Sequence, residues 1–451
     1  MDYSKLGIHK KDIRFKKSDV NSFTEKHKNG MLDVANFDQL KIILNEVYEE
    51  VKSDNQGHVA DYIPQLANVD DELFGIVLVT NDGQVIEIGD TYPKFCVQSC
   101  SKPINYGIAL DKYDKNTVHN YVGKEPSGRN FNELCLNEEK LPHNPLINSG
   151  AIMVTSLLFK ELKSSERFEK VFNYWKDLTC NTYLSFNNSV YLSEKDSADR
   201  NYCLGYMMQE KDSFLGRDKN ISKENGRSWD INDLKNNLEL YFQFCSIESS
   251  LLGMGLLAAT LSNGGIHPWS YKNIFTNETV KNILSIMSSC GMYDYSGEWN
   301  YEIGIPAKSG VSGLVYAVIP GVCGIATYSP KLDKVGNSYR GLQFFKKLSK
   351  KINIHKYEVK KSDNLLLIKR NEINNKKMLN FLLLDGCYNN NLNIIRECLS
   401  KGCDINFQDY DKRTGLHIAC EENHTEIINF LLENGADETI QDRWGNIPKK
   451  I

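Results

Sequence analysis

The pair Ser99 and Lys102 has the spacing of a nucleophile and its base. The segment that follows, 104–110, is apolar enough to form a helix. Residues at i and i+3 lie on one helical face, with Cβ atoms roughly 5–6 Å apart, so a neutral lysine there could accept the serine proton. Because the ordinary lysine pKa is ~10.4, this chemistry requires burial or a neighbouring charge that lowers it towards neutrality. On its own, the spacing is also compatible with chance.

A second motif, Lys308-Ser309-Gly310, precedes a predicted strand at 312–319. Serine acyl-transferases of the β-lactamase type combine Ser-x-x-Lys with Lys-Ser/Thr-Gly on an edge strand, and both motifs occur here in that order. Their joint occurrence favours an acyl-transfer site built on serine and lysine. Taken alone, Lys308 is interpreted as a solvated lysine at the end of a strand.

Other polar residues lie where a hydrophobic core would not favour them, and each also has an ordinary structural interpretation. Asn148 precedes an apolar segment and could cap a helix there. Glu194 and Asn201 would share one face if they belonged to a single helix, where a solvated polar stripe is the alternative. Tyr241 and Tyr293 could be ordinary half-buried tyrosines. None of these residues decides the function alone.

The elements around these residues predict an α+β fold with a sheet assembled from distant parts of the chain. Segments 75–80 and 84–88 form a predicted hairpin around Asn-Asp-Gly, and segments 312–319 and 322–328 form a second one. A long, mostly helical region separates the two hairpins, unlike the strand–helix alternation of parallel α/β folds. Residues 37–51 predict an amphipathic helix near the start of the chain.

The last part of the sequence contains a repeat. Gly402–Asp409 recurs with substitutions as Gly435–Asp442, 33 residues later, and Thr414–Ala419 resembles the ankyrin signature Thr-Pro-Leu-His-x-Ala, with glycine in place of proline. About two repeats and a truncated third are recognisable. Because so short a stack covers its helices poorly, Ile427, Phe430 and Leu431 are expected to be exposed.

Composition excludes several classes of protein. The chain has 451 residues, a net charge of −4 and 25% charged residues, which does not suggest a surface for nucleic acid or membranes. The 12 cysteines include no Cys-x-x-Cys pair and no zinc-ligand spacing, which favours reduced thiols. The first residues fit neither a secretory signal nor an organellar presequence well. We therefore predict a cytoplasmic protein, with the mitochondrial matrix as the alternative if a targeting segment has been removed.

Nine stretches of the sequence resemble the serine-dependent glutaminases and occur in that family's order. They are Ala60–Leu66, Gln98–Pro103, Tyr121–Gly128, Pro142–Pro145, Asp199–Asn201, Tyr241–Glu248, Ser289–Asp294, Pro306–Val311 and Leu332–Ser338. Together with the C-terminal repeats, they resemble the kidney- and liver-type branch of the animal enzymes. The likeness is dense over residues 55–355 and looser over 375–451.

The resemblance implies a β-lactamase-like sheet flanked by helices with a helical subdomain, and hydrolysis of L-glutamine to L-glutamate and ammonia. It implies Ser99 as nucleophile, Lys102 as base and Tyr293 as proton relay. The residues that it implies for substrate binding, with the backbone of Ser99 and Val311 as oxyanion hole, are Tyr62, Ser99, Asn148, Glu194, Asn201, Tyr241, Tyr293 and Val311. No metal or organic cofactor is implied, while inorganic phosphate is a candidate activator.

The predicted organisation follows from the same resemblance. The expected parts are a helical N-terminal segment at 1–55, the catalytic domain at 56–355, a linker at 356–374 and a small all-α ankyrin-repeat segment at 375–451. A homo-oligomer, either a dimer or a tetramer, and a protein partner for the repeats are expected. The polar segment 217–226 is an insertion relative to the animal enzymes and is interpreted as a surface loop. Cys135 stands where the family's gating segment usually has an aromatic residue.

Two alternatives to a glutaminase stay open on the sequence. A β-lactamase-like amidase or peptidase would share the chemistry, although such enzymes work outside the cytosol. A catalytically silent scaffold would use only its ankyrin repeats. The retention of Ser99, Lys102, Tyr293 and Lys308 together argues against the scaffold.

Overall fold

The computed structural model describes Val34 and residues 37–180, 182–217, 231–357 and 376–449. It divides into two compact units, one of residues 36–368 and the other of residues 1–35 and 369–451. Most of the predicted N-terminal segment before residue 37, nearly all of the insertion 217–226 and most of the linker 356–374 lie outside the described residues. The helix expected at 37–51 is present and belongs to the larger unit.

The larger unit contains two antiparallel sheets. The strands β1 to β8 are Gly75–Thr80, Val85–Gly89, Lys94–Cys96, Leu184–Phe186, Ile247–Ser250, Ala307–Ser309, Leu314–Ile319 and Cys323–Tyr328. Five of them form a sheet in the order β2-β1-β8-β7-β6, in which Gly75 pairs with Tyr328 and Thr80 with Cys323. The two predicted hairpins therefore do belong to one sheet. A smaller sheet has the order β3-β5-β4.

Helices lie between and around these strands. The helices α1 to α13 are Phe37–Val51, Pro64–Ala67, Lys102–Lys112, Lys115–His119, Asn148–Leu157, Ser164–Thr179, Asn188–Asp196, Asp199–Glu210, Ile231–Cys245, Leu251–Ser262, Asn277–Cys290, Ser296–Glu302 and Tyr339–Leu348. All residues of α10 are buried, because this apolar helix packs on the large sheet. Its close approach depends on Gly324, where a Cβ would lie 2.3 Å from the backbone nitrogen of Ala259.

The repeat unit consists of α14 to α17, which are Lys376–Tyr388, Leu392–Ser400, Gly415–Glu421 and Thr425–Glu433. The expectation that these apolar faces would be exposed is wrong, since Ile427 and Leu431 are fully buried in a core shared with Leu383 and Cys387, and Phe430 is partly buried against it. Gly415, which replaces the usual proline, is explained by the same packing, because a Cβ there would lie 2.9 Å from Cys387 Sγ.

The repeated Asp residues form the same turn in both copies. Asp409 Oδ1 accepts backbone hydrogen bonds from residues 411 and 413, and Asp442 Oδ1 accepts the equivalent bonds from residues 444 and 446. The 33-residue period of the sequence is thus a period of structure.

Over the described part of the chain, no helix combines the length and apolarity needed to cross a membrane.

Candidate active site

Ser99 lies in a 3-10 helix, Gln98–Ser101, that joins β3 of the small sheet to α3. The N–H of Val97 donates to the carbonyl of Ile247 at 2.8 Å, which attaches this turn to β5. Gln98 has a φ of 49°, a left-handed conformation that is uncommon outside glycine and often found at functional sites. Within the turn Gln98, Cys100 and Ser101 are buried, whereas Ser99 is partly exposed. Ser99 is therefore the one residue of this turn that is accessible from solvent.

Lys102, the first residue of α3, is buried beside this turn. Its side chain is 1% exposed, and Nζ donates a hydrogen bond of 2.6 Å to Asn148 Oδ1. Burial, together with the positive charge of Lys308, lowers the pKa of Lys102 to about 7. A lysine with a pKa this close to neutrality can act as a base.

Asn148 does not cap a helix. It is the first residue of α5, whose N-cap is Ile147, and no side chain caps that helix. Instead, Asn148 Nδ2 donates to Asn201 Oδ1 at 3.0 Å while its Oδ1 accepts from Lys102. The capping interpretation is therefore wrong, and the side chain connects the lysine with α8.

Glu194 is a buried carboxylate with two donors on one oxygen. Its side chain is 8% exposed, and Oε1 accepts hydrogen bonds from the Tyr62 hydroxyl at 2.7 Å and from Gln98 Nε2 at 2.9 Å. Burial raises the pKa of Glu194, and the two hydrogen bonds oppose that rise. Although 46% of Tyr62 is exposed, its hydroxyl is directed at this buried group, and burial of the hydroxyl together with the charge of Glu194 raises the pKa of Tyr62.

Glu194 and Asn201 do not belong to one helix, so they do not share a helical face. Glu194 lies in α7 and Asn201 in α8, and the chain is not helical at residues 197 and 198. Sequence reasoning also missed Gln98, whose amide donates to Glu194. The available signal was its place directly before Ser99 in a stretch that resembles the family.

Tyr293 and Lys308 contact each other near the Ser99 side chain. Tyr293 has a φ of 52° in the 3-10 helix Tyr293–Tyr295, and Lys308 Nζ lies 4.5 Å from the centroid of its ring. The Tyr293 hydroxyl has no hydrogen bond of standard geometry to any described residue, yet it is near enough to interact with the Ser99 side chain. Burial raises the pKa of Tyr293.

Lys308 is not the solvated lysine that its motif alone suggested. It lies within β6 with no exposed surface, and burial lowers its pKa to about 8. Gly310, which follows β6, packs on the serine turn, because a Cβ there would lie 3.0 Å from the carbonyl oxygen of Val97. The next residue, Val311, packs against the apolar cluster of Ile63, Leu66, Cys96 and Val190.

Tyr241, in α9, is a further buried residue near Glu194 and Tyr293. It is 5% exposed rather than half-buried, and burial raises its pKa, with further contributions from Cys245, Glu194 and Tyr293. Of the ten residues singled out in the sequence, nine, from Tyr62 to Lys308, are thus linked by these interactions, whereas Val311 packs on a neighbouring apolar cluster.

A family model described as Glutaminase matches residues 57–357. The chain belongs to the glutaminase family. A second model, described as Ankyrin repeats (3 copies), matches residues 361–442 of this glutaminase. The glutaminase is an amidohydrolase that acts on glutamine, and the expected β-lactamase-like α+β fold with C-terminal ankyrin repeats is confirmed.

Individual glutaminases are similar over most of the chain. The mitochondrial liver isoform of Mus musculus is 40% identical over 424 residues, which cover 92% of this chain and 67% of the mouse protein. The glutaminase of Nostoc sp. is 38% identical over 336 residues, or 74% of this chain and 95% of that protein. The chain thus spans about two thirds of the mammalian relative and nearly all of the bacterial one.

Solved structures agree with this glutaminase fold. A structure described as the probable glutaminase ybaS has a TM-score of 0.65 and 30% identity, covering 71% of this chain and 99% of that one. The structure of Mglu in its glutamate form has a TM-score of 0.63 and 32% identity, covering 71% of this chain and 70% of that one.

Proposed function

We propose that this glutaminase hydrolyses L-glutamine to L-glutamate and ammonia through a covalent ester on Ser99. The observation that carries the proposal is the buried Lys102, whose pKa is about 7 and whose Nζ is held by Asn148. Neutral Lys102 accepts the proton as Ser99 Oγ attacks the side-chain amide carbon of glutamine. The C–N bond then breaks, ammonia leaves with an added proton, and a γ-glutamyl ester remains on the serine.

The backbone N–H groups of Ser99 and Val311 are proposed as the oxyanion hole. The N–H of Val311 has no hydrogen-bond partner among the described residues, and Gly310 holds this segment against the serine turn. Two such donors stabilise the negative charge that develops on the amide oxygen in the transition state. Water attacks the ester through a second transition state of the same kind, which releases glutamate and restores Ser99.

Tyr293 is proposed to relay the proton to the leaving amine. The proposal is supported by its interaction with Ser99 and by the contact of its ring with Lys308, a second buried amine. Because its pKa is raised, the phenol stays protonated at neutral pH and can donate to the leaving nitrogen.

Glu194 is proposed to bind the α-ammonium group of glutamine. Tyr62 and Gln98 both donate to Oε1, which leaves Oε2 for the substrate. Neutral donors on Asn148, Asn201 and Tyr241 suit the amide and the α-carboxylate, while the Tyr62 hydroxyl, which donates its proton to Glu194, can only accept from the substrate. A site built around both charged ends of the amino acid would discriminate against asparagine, whose amide lies one methylene closer to them.

The direct test compares ammonia release from glutamine and asparagine with hydrolysis of a cephalosporin. We expect glutamine to be the preferred substrate and a glutamyl ester to be detectable on a Ser99 peptide after rapid acid quench. Preferential cephalosporin hydrolysis would favour the amidase alternative, whereas absence of all turnover would favour the scaffold.

The remaining features of the proposal rest on the family resemblance. We propose a homo-oligomer, either a dimer or a tetramer, with no metal or organic cofactor, with phosphate as activator and with a protein partner for the repeats. Mass photometry tests the oligomeric state, and turnover with and without phosphate tests the activation. The cytoplasm is the proposed compartment and the mitochondrial matrix the alternative, since the mouse and rat relatives are named mitochondrial. Cell fractionation decides between them.

A further inference from the structure

Glu248, in the central strand β5 of the small sheet, is a carboxylate with a donor on each oxygen. Oε1 accepts a hydrogen bond of 3.0 Å from Asn187 Nδ2, and Oε2 accepts one from the Tyr183 hydroxyl. Tyr183 in turn lies under the ammonium group of Lys94, which is 3.9 Å from the centroid of the ring. Because both oxygens are engaged, the carboxylate has a defined orientation.

Asn187 connects this carboxylate to α7. It is the N-cap of that helix, and its Oδ1 accepts a hydrogen bond of 3.0 Å from the N–H of Val190. A carboxylate can only accept, so Glu248 holds the amide nitrogen of Asn187 towards itself and leaves the amide oxygen facing the helix. The charge on Glu248 therefore decides which end of the amide caps α7.

The same stretch of chain supports the nucleophile. The N–H of Asn187 donates to the carbonyl of Ser246 at 3.0 Å, and the N–H of Val97 donates to the carbonyl of Ile247 at 2.8 Å. Residues 246–248 thus hold both the start of α7 and the turn that carries Ser99. Any shift of α7 against this strand moves Glu194 relative to the serine.

We propose that Glu248 is a positioning residue for substrate binding, which acts by orienting the Asn187 amide and thereby placing the Glu194 carboxylate. This inference rests on the proposed contact between Glu194 and the substrate ammonium. Glu194 lies two turns after the N-cap, close enough to the start of α7 to follow its placement.

The change Glu248→Gln should reverse the orientation of the Asn187 side-chain amide while keeping the volume of the side chain at position 248. The Tyr183 hydroxyl donates to the oxygen of the new amide, so the new NH₂ group faces the NH₂ group of Asn187. Two donors repel, the Asn187 amide turns over, and the cap on Val190 is lost. The change Asn187→Asp instead places a second carboxylate against that of Glu248, and the two repel each other. Combining the two changes restores a donor facing an acceptor, and aspartate is itself a good N-cap.

A four-variant cycle in the full chain tests the proposal. We expect Glu248→Gln and Asn187→Asp each to raise the KM for glutamine about three- to tenfold with kcat within about twofold, and the double variant to return KM to within about twofold of the parent. Glu239→Gln is the matched control. Glu239 also contacts α7, by a partly exposed ion pair with Lys195 at 2.6 Å, and its loss should leave KM unchanged.

The melting temperature of each variant separates positioning from folding. The proposal is overturned if either single variant lowers only the melting temperature, if KM does not change, or if the double variant is no better than the worse single one. Glu194→Gln is measured in parallel. If Glu194→Gln raises the KM for glutamine but Glu248→Gln does not, only the role of Glu248 is overturned. If Glu194→Gln leaves KM unchanged, the proposed ammonium contact is overturned, and with it the role of Glu248.

Discussion

Lys102 and Asn148, 46 residues apart in the sequence, are joined by a hydrogen bond of 2.6 Å from Nζ to Oδ1. The partner is a neutral amide, which orients the amine without adding the negative charge that would raise its pKa. A neutral lysine can donate one proton to Asn148 while its lone pair faces elsewhere. This arrangement suits a base that works near neutral pH.

The pH dependence of turnover follows from this arrangement. Because Lys102 must be neutral to accept the serine proton, kcat/KM should rise with pH through about 7, the pKa of Lys102. The acid limb reports a lysine that loses its charge as the pH rises. Initial rates of ammonia release across the pH range measure it, and a profile that is flat from about pH 6 to about pH 8 would contradict the role of Lys102 as base.

Lys308 should set the position of that limb. Its positive charge repels protonated Lys102, so Lys308→Met removes a cause of the lowered pKa and should move the acid limb of kcat/KM to higher pH. Lys334→Met, at an exposed position, is the charge-matched control and should leave the limb in place. An unchanged limb in Lys308→Met would show that burial alone tunes Lys102.

Replacement of the nucleophile should remove the chemistry. Ser99→Ala is expected to abolish nearly all turnover, since no other group in the turn is placed to form the ester. Cys100 is the neighbour to exclude. It is fully buried, and burial raises the pKa of its thiol to about 12, so Cys100→Ala should retain activity. The reverse result, an active Ser99→Ala and an inactive Cys100→Ala, would assign the nucleophile to cysteine.

Loss of the charge on Glu194 should weaken substrate binding. A charged hydrogen bond in a buried site typically contributes ~1.5–3 kcal/mol, so Glu194→Gln should raise the KM for glutamine roughly ten- to a hundredfold. Steady-state kinetics together with glutamate inhibition measure the effect. Unchanged KM and kcat would exclude Glu194 from the substrate pocket.

The ankyrin repeats should be dispensable for the reaction. All the proposed site residues lie within the unit of residues 36–368, and the repeats have their own buried core. A chain that ends near Lys360 should therefore stay folded and keep Ser99-dependent turnover, while its solubility or partner binding changes. Mass photometry and glutamine turnover of the two chains test this. A truncated chain that is folded but inactive would mean that the repeats help to hold the site together.

Local patterns in the sequence determined much of this protein. The hairpin turns, the amphipathic helix at 37–51 and the 33-residue repeat depend on neighbours in the chain, and each appears in the structure where the pattern indicates it. The spacing of Ser99 and Lys102 and the nine family-like stretches were sufficient to identify a glutaminase.

Only the tertiary structure decided which polar groups are buried and what they face. Lys308 resembles a solvated lysine in sequence but is enclosed beside Tyr293, and Asn148 binds Lys102 instead of capping its helix. Gln98 reaches Glu194 only because the serine turn and α7 meet on β5. The pKa and the rotamer of such a side chain are set by burial, charge and hydrogen bonds from distant segments. Because these contacts have no periodicity along the chain, the sequence pattern does not show them.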